Sequence, residues 1–164
     1  MKQIILIAAI GENRELGKNN DLLWHLPDDF KRFKTLTQEH DMIMGYRTFR
    51  SLPKLLPNRK HIVISSKKLT SDTDQLVYCG SLEEALNYSK TNPTFVIGGG
   101  QIYSLSLAIA DKLELTRVHG SFDAEVFFPE IPKNEFELVK SEFHPKDDKH
   151  AYSFTYETYI RTSR

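Results

Sequence analysis

The apolar positions divide the chain into short segments whose period switches between two types. Residues 4–10, reading IILIAAI, form an apolar run without alternation, the pattern of a strand covered on both faces. Residues 41–45, 61–64, 76–79 and 95–97 read as further short strands. Between them the spacing becomes helical. In residues 24–37, WHLPDDFKRFKTLT, Leu26, Phe30, Phe33, Leu36 and Thr37 share one stripe, and Pro27 suits the first helical position. Residues 46–52 read as a short helix. Ser81 with Glu84 three residues on is a capping-box pattern that opens a helix reaching Lys90, and Gln101, Ile102, Tyr103 and Leu105 resume helical spacing after Gly98-Gly99-Gly100. The last third differs. Residues 112–119 alternate as a strand, and 136–143 and 152–160 alternate around a turn at 144–150, with Tyr152, Phe154, Tyr156 and Ile160 on one face, as in an antiparallel hairpin. Two stretches lack a period. Residues 11–23 are a polar, turn-rich loop in which Leu16, Leu22 and Leu23 are stranded, so the loop is expected to fold over something, and 122–135 is a long connection. The pattern predicts one α/β domain over residues 1–164: a mostly parallel central sheet of about eight strands, one reversed edge from the C-terminal antiparallel hairpin, and flanking helices.

Charge and cysteine content narrow the partners. Lys plus Arg number 22 and Asp plus Glu 22, so no net field draws the chain to nucleic acid or to a membrane, and a small-molecule partner is expected. Cys79 is the only cysteine, which excludes an internal disulfide and a cysteine-based zinc site; it reads as a core residue, and no metal is expected. The apolar part of the opening, 4–10, is short for a signal sequence and is followed by charge, and no run is long enough to span a bilayer. A soluble, cytoplasmic monomer is the expectation.

Strand, three glycines, helix is a phosphate cradle: residues without Cβ allow close backbone approach, and the N–H groups of the helix start face an anion. A tight turn that binds nothing has the same sequence. Other segments decide between them. Gly45 stands at a second strand-to-helix junction, followed by Arg47 and Thr48, which can donate to phosphate; Ser65, Ser66, Lys67 and Lys68 end another strand; Ala8 and Ala9 end the first with small side chains. In a parallel sheet all four fall on one edge, which fits an extended dinucleotide with an extra phosphate. Asp29 lies three residues after Leu26 and four before Phe33, so it faces the aromatic stripe, whereas Asp28 shares its side with Lys31, Arg32 and Thr35 as a solvated cap. A carboxylate beside aromatics has either a protein partner or a cationic or N–H-donating ligand. Arg59, at the mouth of a strand, is either an exposed guanidinium or a clamp for a carboxylate, and Thr116 presents a hydroxyl on one face of its strand.

The motifs IAAIG, LLWHLPDDF, MGYRTFRSLP, LPNRKHIVISS, VIGGGQIY, LELTRV and FFP, in this order, resemble those of bacterial dihydrofolate reductases over essentially the whole chain. The resemblance implies NADPH-dependent reduction of dihydrofolate by hydride transfer to pterin C6 with protonation at N5, a supply of tetrahydrofolate for one-carbon metabolism, and sensitivity to antifolates. It implies Asp29, Leu22, Trp24 and Thr116 as the catalytic group, with Thr116 hydrogen-bonded to Asp29. The substrate would be held by Ile7, Ala8, Asp29, Phe30, Phe33, Leu52, Lys54, Leu56, Ile97, Tyr103 and Thr116, with Arg59 gripping its glutamate α-carboxylate. Cofactor residues would be Ala9, Leu16, Gly17, Asn20, Gly45, Tyr46, Arg47, Thr48, Ile64, Ser65, Ser66, Lys67 and Gly80, together with Gly98, Gly99, Gly100, Gln101, Ile102 and Tyr103. Loop 11–23 would close over nicotinamide.

The sequence departs from its relatives in two places. Tyr46 and Gln101 stand where many carry arginine beside the cofactor's 2′-phosphate, leaving that work to Arg47, Ser66 and Lys67. Ala124-Glu125-Val126 replace a frequent glycine, aspartate and threonine in the connection that meets the gating loop. Two rivals are a pterin or ribityl-pyrimidine reductase on the same scaffold, which needs no Arg59 clamp, and a catalytically silent nucleotide-binding module, which needs no Asp29.

Overall fold

The computed structural model describes residues 2–17 and 23–162. In chain order these form β1 (Ile4–Gly11), β2 (Glu15–Gly17), α1 (Pro27–Thr37), β3 (Met42–Gly45), α2 (Tyr46–Ser51), β4 (His61–Ile64), β5 (Leu76–Cys79), α3 (Leu82–Tyr88), β6 (Thr94–Val96), α4 (Gly100–Ser106), β7 (Lys112–Val118), β8 (Val126–Phe127), β9 (Phe136–His144) and β10 (Phe154–Arg161). Eight strands make one sheet in the order β5-β4-β3-β6-β1-β7-β10-β9. All pairings from β5 to β7 are parallel. Because β10 is antiparallel to both β7 and β9, the reversed strand is interior by one place, and β9 rather than β10 forms the edge. The expected reversed edge is corrected in that respect: both arms of a hairpin carry the same alternation, and only the pairing partner decides which arm lies inside.

The unbroken apolar run of β1 is explained by its central position. Ile4, Leu6, Ala8 and Ile10 enter the core beneath α3 and α4, with Ile43, Ile62, Val96, Ile102, Tyr103, Leu113 and Leu115, while Ile5 and Ile7 point to the opposite face with Phe95, Phe33, Leu36 and Ile97. Each such buried Ile or Leu contributes about 1.5–3 kcal/mol of transfer free energy. Cys79 is buried in the first of these cores, as its neighbours predict. The Ser81 cap forms, its hydroxyl accepting from Glu84 N at 3.1 Å, but Glu84 returns its carboxylate to Gly80 N at 2.7 Å. In the hairpin, β10 alternates without a break, so Tyr159 packs on the main core while Phe154 and Tyr156 pack on the α1 side and Ile160 is exposed; the extra residue that shifts the β9–β10 register, Val139, lies in β9. Among the described residues no helix is long and apolar enough to cross a membrane.

A second, two-stranded sheet joins the loops that showed no period. β2 pairs with β8, Phe128 N donates to Arg14 O at 2.8 Å, and Glu125 N donates to Gly17 O at 2.9 Å. Glu15 anchors this junction. Its side chain is buried, Oε1 accepts from Asn13 N and Oε2 from Phe122 N, both at 2.7 Å. Gly11 supplies the room, since a Cβ there would lie 2.4 Å from Glu15 Oε1. Burial on its own would raise the Glu15 pKa, but the N–H groups of Phe122, Glu15 and Asn13 outweigh it and hold the carboxyl below its ordinary value. A depressed native pKa makes its stabilisation present above the ordinary glutamate range and lost as pH falls through the native value. Glu15→Gln, which trades an acceptor for an N–H facing N–H groups, should destabilise by about 1–3 kcal/mol at neutral pH. Thermal melts across pH check this: the gap between wild type and variant should close in acid, and a pH-independent gap would contradict it.

Candidate active site

α1 presents its inner face to β1 and β7. Pro27, Asp28 and Asp29 form its first turn; Asp29 N and Phe30 N both donate to Leu26 O, at 3.1 and 3.2 Å. Asp29 turns inward, as its spacing from Leu26 and Phe33 predicts, and its Oδ1 accepts from the Thr116 hydroxyl at 2.5 Å. Thr116 is buried on β7 directly opposite Ala9 of β1. Burial pushes the Asp29 pKa up; the Thr116 hydrogen bond, then the charge of Arg32, pull it back only in part. Its carboxyl therefore titrates above the ordinary range. Asp28 is exposed, whereas Arg32 on the same side reaches back to the sheet, donating to Glu114 Oε2 at 2.7 Å with its guanidinium 4.1 Å from the Tyr156 ring centre. Burial and then the Asp29 charge push the Tyr156 hydroxyl up to about 12.

An apolar wall assembles where α1 packs on the sheet. Ile7, Phe33 and Ile97 share one cluster; Leu52 and Leu56 belong to the next, which Phe33 and Ile97 also join. Ala8 is buried on the far side of β1, and Lys54 and Phe30 are exposed, Phe30 lying against Phe33 at 6.4 Å between ring centres with Lys34 Nζ 4.4 Å over it. Trp24 is buried against Phe122, at 4.9 Å, in a cluster with Leu26, Val118 and Phe154. Arg59 is not a free surface guanidinium. It is buried beneath the C-terminal end of α1, its Nε donating to Pro57 O at 2.9 Å and its Nη1 to Thr37 Oγ1 at 2.7 Å and Lys34 O at 3.1 Å. These bonds fix its plane, and burial lowers its pKa.

On the other side of the sheet edge, β3 and β6 bring two glycine corners together: Gly45 N donates to Gly98 O at 2.8 Å. A Cβ on Gly99 would stand 3.3 Å from Thr48 Oγ1, and one on Gly100 2.5 Å from Val126 Cγ1. The Gly98–Gly99 peptide is cis. Among the described residues neither α2 nor α4 has a side-chain cap, which leaves N–H groups at both helix starts able to meet a ligand or water. Arg47, Ser66, Lys67, Gly80 and Gln101 are exposed along this edge, while Leu16, Gly17, Tyr46, Thr48 and Ile64 are half-buried. Tyr46 has Arg50 and Lys67 at 5.9 and 5.8 Å from its ring centre. Ile102 and Tyr103 do not line the groove with their side chains: both are buried in the core, and the Tyr103 hydroxyl donates to Ile7 O at 2.6 Å, its pKa raised by burial. Ser65 is buried, its hydroxyl accepting from Lys67 N at 3.1 Å. Leu22 and Asn20 lie outside the described residues. No cluster of metal-ligating side chains occurs among the described residues.

Sequence reasoning missed Glu15 and Phe122, which stood in stretches without a period; the glutamate two residues before Gly17 in a loop with stranded leucines was the available signal. A carboxyl on an aromatic helix face, a buried guanidinium at one end and a glycine-lined anion groove at the other can hold a flat N–H-donating ring with an acidic tail beside an extended phosphorylated ligand.

The chain is similar to known proteins in both sequence and fold. The sequence profile of the family described as dihydrofolate reductase matches residues 3–161. The dihydrofolate reductase of Bacillus subtilis (strain 168) is 40% identical over 157 residues, spanning 95% of this chain and 93% of its own. Dihydrofolate reductase type 3 of Salmonella typhimurium is 34% identical, spanning 96% and 98%. The structure of dihydrofolate reductase from Enterococcus faecalis complexed with NADP(H) and RAB-propyl superposes with a TM-score of 0.88 at 34% identity, covering 98% of this chain and 97% of that one.

Proposed function

The chain belongs to the dihydrofolate reductase family, and from that premise we infer that it reduces 7,8-dihydrofolate to 5,6,7,8-tetrahydrofolate with NADPH. The observation that carries the reading is the inward Asp29 carboxyl, bonded to Thr116 and borne on the helix whose Phe33 packs with Ile7 and Ile97. NADPH, when bound, supplies the hydride that reaches pterin C6. Asp29 accepts from the amino and N–H groups of the pterin ring and favours protonation at N5, with the proton itself delivered through water. Thr116 keeps one carboxylate oxygen in place so that the other faces the ring. Ile7, Phe33, Leu52, Leu56 and Ile97 hold the ring and aminobenzoyl group and keep water out.

The glycine corner suits the cofactor because it presents bare backbone that must stay bare: Cβ atoms on Gly98, Gly99 and Gly100 would meet Tyr103, Thr48 and Val126 within 3.3 Å. Pyrophosphate is received by the uncapped helix starts with Thr48, and the 2′-phosphate by Arg47, Ser66 and Lys67. Residues 1–164 act as one unit, a cytoplasmic monomer that binds dihydrofolate and antifolates and neither nucleic acid nor membrane. The test is the loss of reduced-cofactor absorbance on adding dihydrofolate, run in parallel with NADPH and NADH. Consumption with higher kcat/KM for NADPH is expected; no consumption with either cofactor would overturn the reading.

Arg59 holds the substrate's glutamate α-carboxylate with the guanidinium edge that Pro57, Lys34 and Thr37 leave open. Charge-assisted bonds contribute about 1.5–3 kcal/mol, so Arg59→Met should raise KM for dihydrofolate about ten- to a hundredfold with kcat little changed. Steady-state kinetics with dihydrofolate and with a substrate lacking the glutamate tail check this. The variant and wild type should differ only with the former.

A further inference from the structure

The N-terminus of α1 lacks the side-chain cap that its own sequence would ordinarily supply, because the cap position is Leu26. Pro27 has no N–H, and Leu26 O takes those of Asp29 and Phe30, which leaves the Asp28 N–H. That donor points to His150, 122 residues away in the turn between β9 and β10, whose Nε2 accepts it at 3.2 Å. The imidazole is set for this. Its side chain is 2% exposed, and Asp147 Oδ1 receives its Nδ1 at 2.8 Å along with the backbone N–H groups of Lys149 and His150, at 2.9 and 2.8 Å. Backbone bonds between Asp147 and His150 in both directions close the turn, and the ring packs on Phe154 with 5.4 Å between centres.

We propose that His150 is a positioning residue for dihydrofolate reduction: held by Asp147 with its proton on Nδ1, it caps α1 through Nε2 and fixes where that helix presents Asp29. The tautomer follows from the partners, since the carboxylate of Asp147 only accepts and the Asp28 N–H only donates. The Asp28 carboxylate, 3.8 Å from Nε2 and exposed, lies beyond hydrogen-bond distance. The next residue along is Asp29, in the same first turn of α1, so the capped backbone and the carboxyl move together. A helix end that shifts by a fraction of an ångström moves the carboxyl relative to the ring, and orientation of that kind is what turnover depends on.

The proposal rests on Asp29 as the pterin partner, so its test has one arm that needs no substrate. In protein labelled with ¹⁵N at histidine, His150 at neutral pH should show Nδ1 protonated and Nε2 bare; a proton on Nε2 overturns the cap whatever the enzyme does. The kinetic arm compares His150→Phe, which keeps the ring packing without a lone pair, with His150→Gln, which places an oxygen near Nε2. His150→Phe should lower kcat/KM for dihydrofolate about fivefold, the loss expected for a cap, leaving KM for NADPH unchanged, and His150→Gln should recover most of it. Wild-type kinetics in His150→Phe, or an equal loss in both variants toward both substrates, would contradict the role. Should His150→Phe fail to fold, Asp147→Ala releases the ring and should give the same substrate-selective loss; no loss there would count against it.

Discussion

Replacing Asp29 with asparagine is expected to lower turnover near neutral pH by about 10²–10³-fold and to cost much less in acid, where dihydrofolate already carries the proton it needs. Asparagine fits the site and still accepts from Thr116, so the loss belongs to the charge and not to the packing. The same substitution should make the protein more stable. Burial is the main cause of the raised Asp29 pKa, so the folded state holds that proton more tightly than the unfolded chain. The carboxyl's contribution is fully present below its ordinary value and is lost as pH rises through the raised one. Asp29→Asn removes that loss: it should melt above wild type at pH 7–8, with the difference vanishing in acid. A pH–rate profile unchanged by the substitution would contradict the assignment.

Gly98→Ala should damage both the fold and the cofactor groove. Gly98 has φ of +120°, where L side chains are rarely found, and a Cβ there would press on the Tyr103 ring and hydroxyl at 3.2 Å. Tyr103 cannot yield, because it is buried and its hydroxyl is fixed on Ile7 O. The backbone alone costs about 1–3 kcal/mol, which for a chain of this size lowers the melting temperature by about 3–10 °C. Movement of the corner would also disturb the Gly45 N–Gly98 O bond that joins β3 to β6. NADPH should bind at least about tenfold more weakly, with the affinity for dihydrofolate changed less. Melting without ligand and titration of each ligand separate the two effects; wild-type values in both would show that the corner tolerates a side chain.

What could be read in the residues was what local periodicity encodes. The β1 run, the α1 stripe and the strand-glycine-helix corner each announce themselves within a dozen residues, and Asp29 was legible because helical spacing sets it between Leu26 and Phe33. Contacts between distant segments that lack a period were not. Glu15 reads as one more polar loop residue until Asn13 and Phe122 turn their N–H groups on it. β2 and β8 are three and two residues long and pair across more than a hundred positions, with nothing in either to mark the other. His150 stood in a hairpin turn, and only the fold brings that turn to the start of α1. Ile102 and Tyr103 belong to the glycine motif by sequence, yet helix geometry buries their side chains and leaves backbone and Gln101 at the groove.

A crystal structure with NADPH and folate bound together is the most direct test of whether the Asp29 carboxyl meets the pterin. The ring's amino and N–H groups should lie within hydrogen-bond distance of the Asp29 oxygen that Thr116 does not occupy, with the nicotinamide against its C6 edge and the glutamate α-carboxylate on Arg59. A pterin seated elsewhere, with Asp29 bonded to Thr116 and water alone, would contradict it.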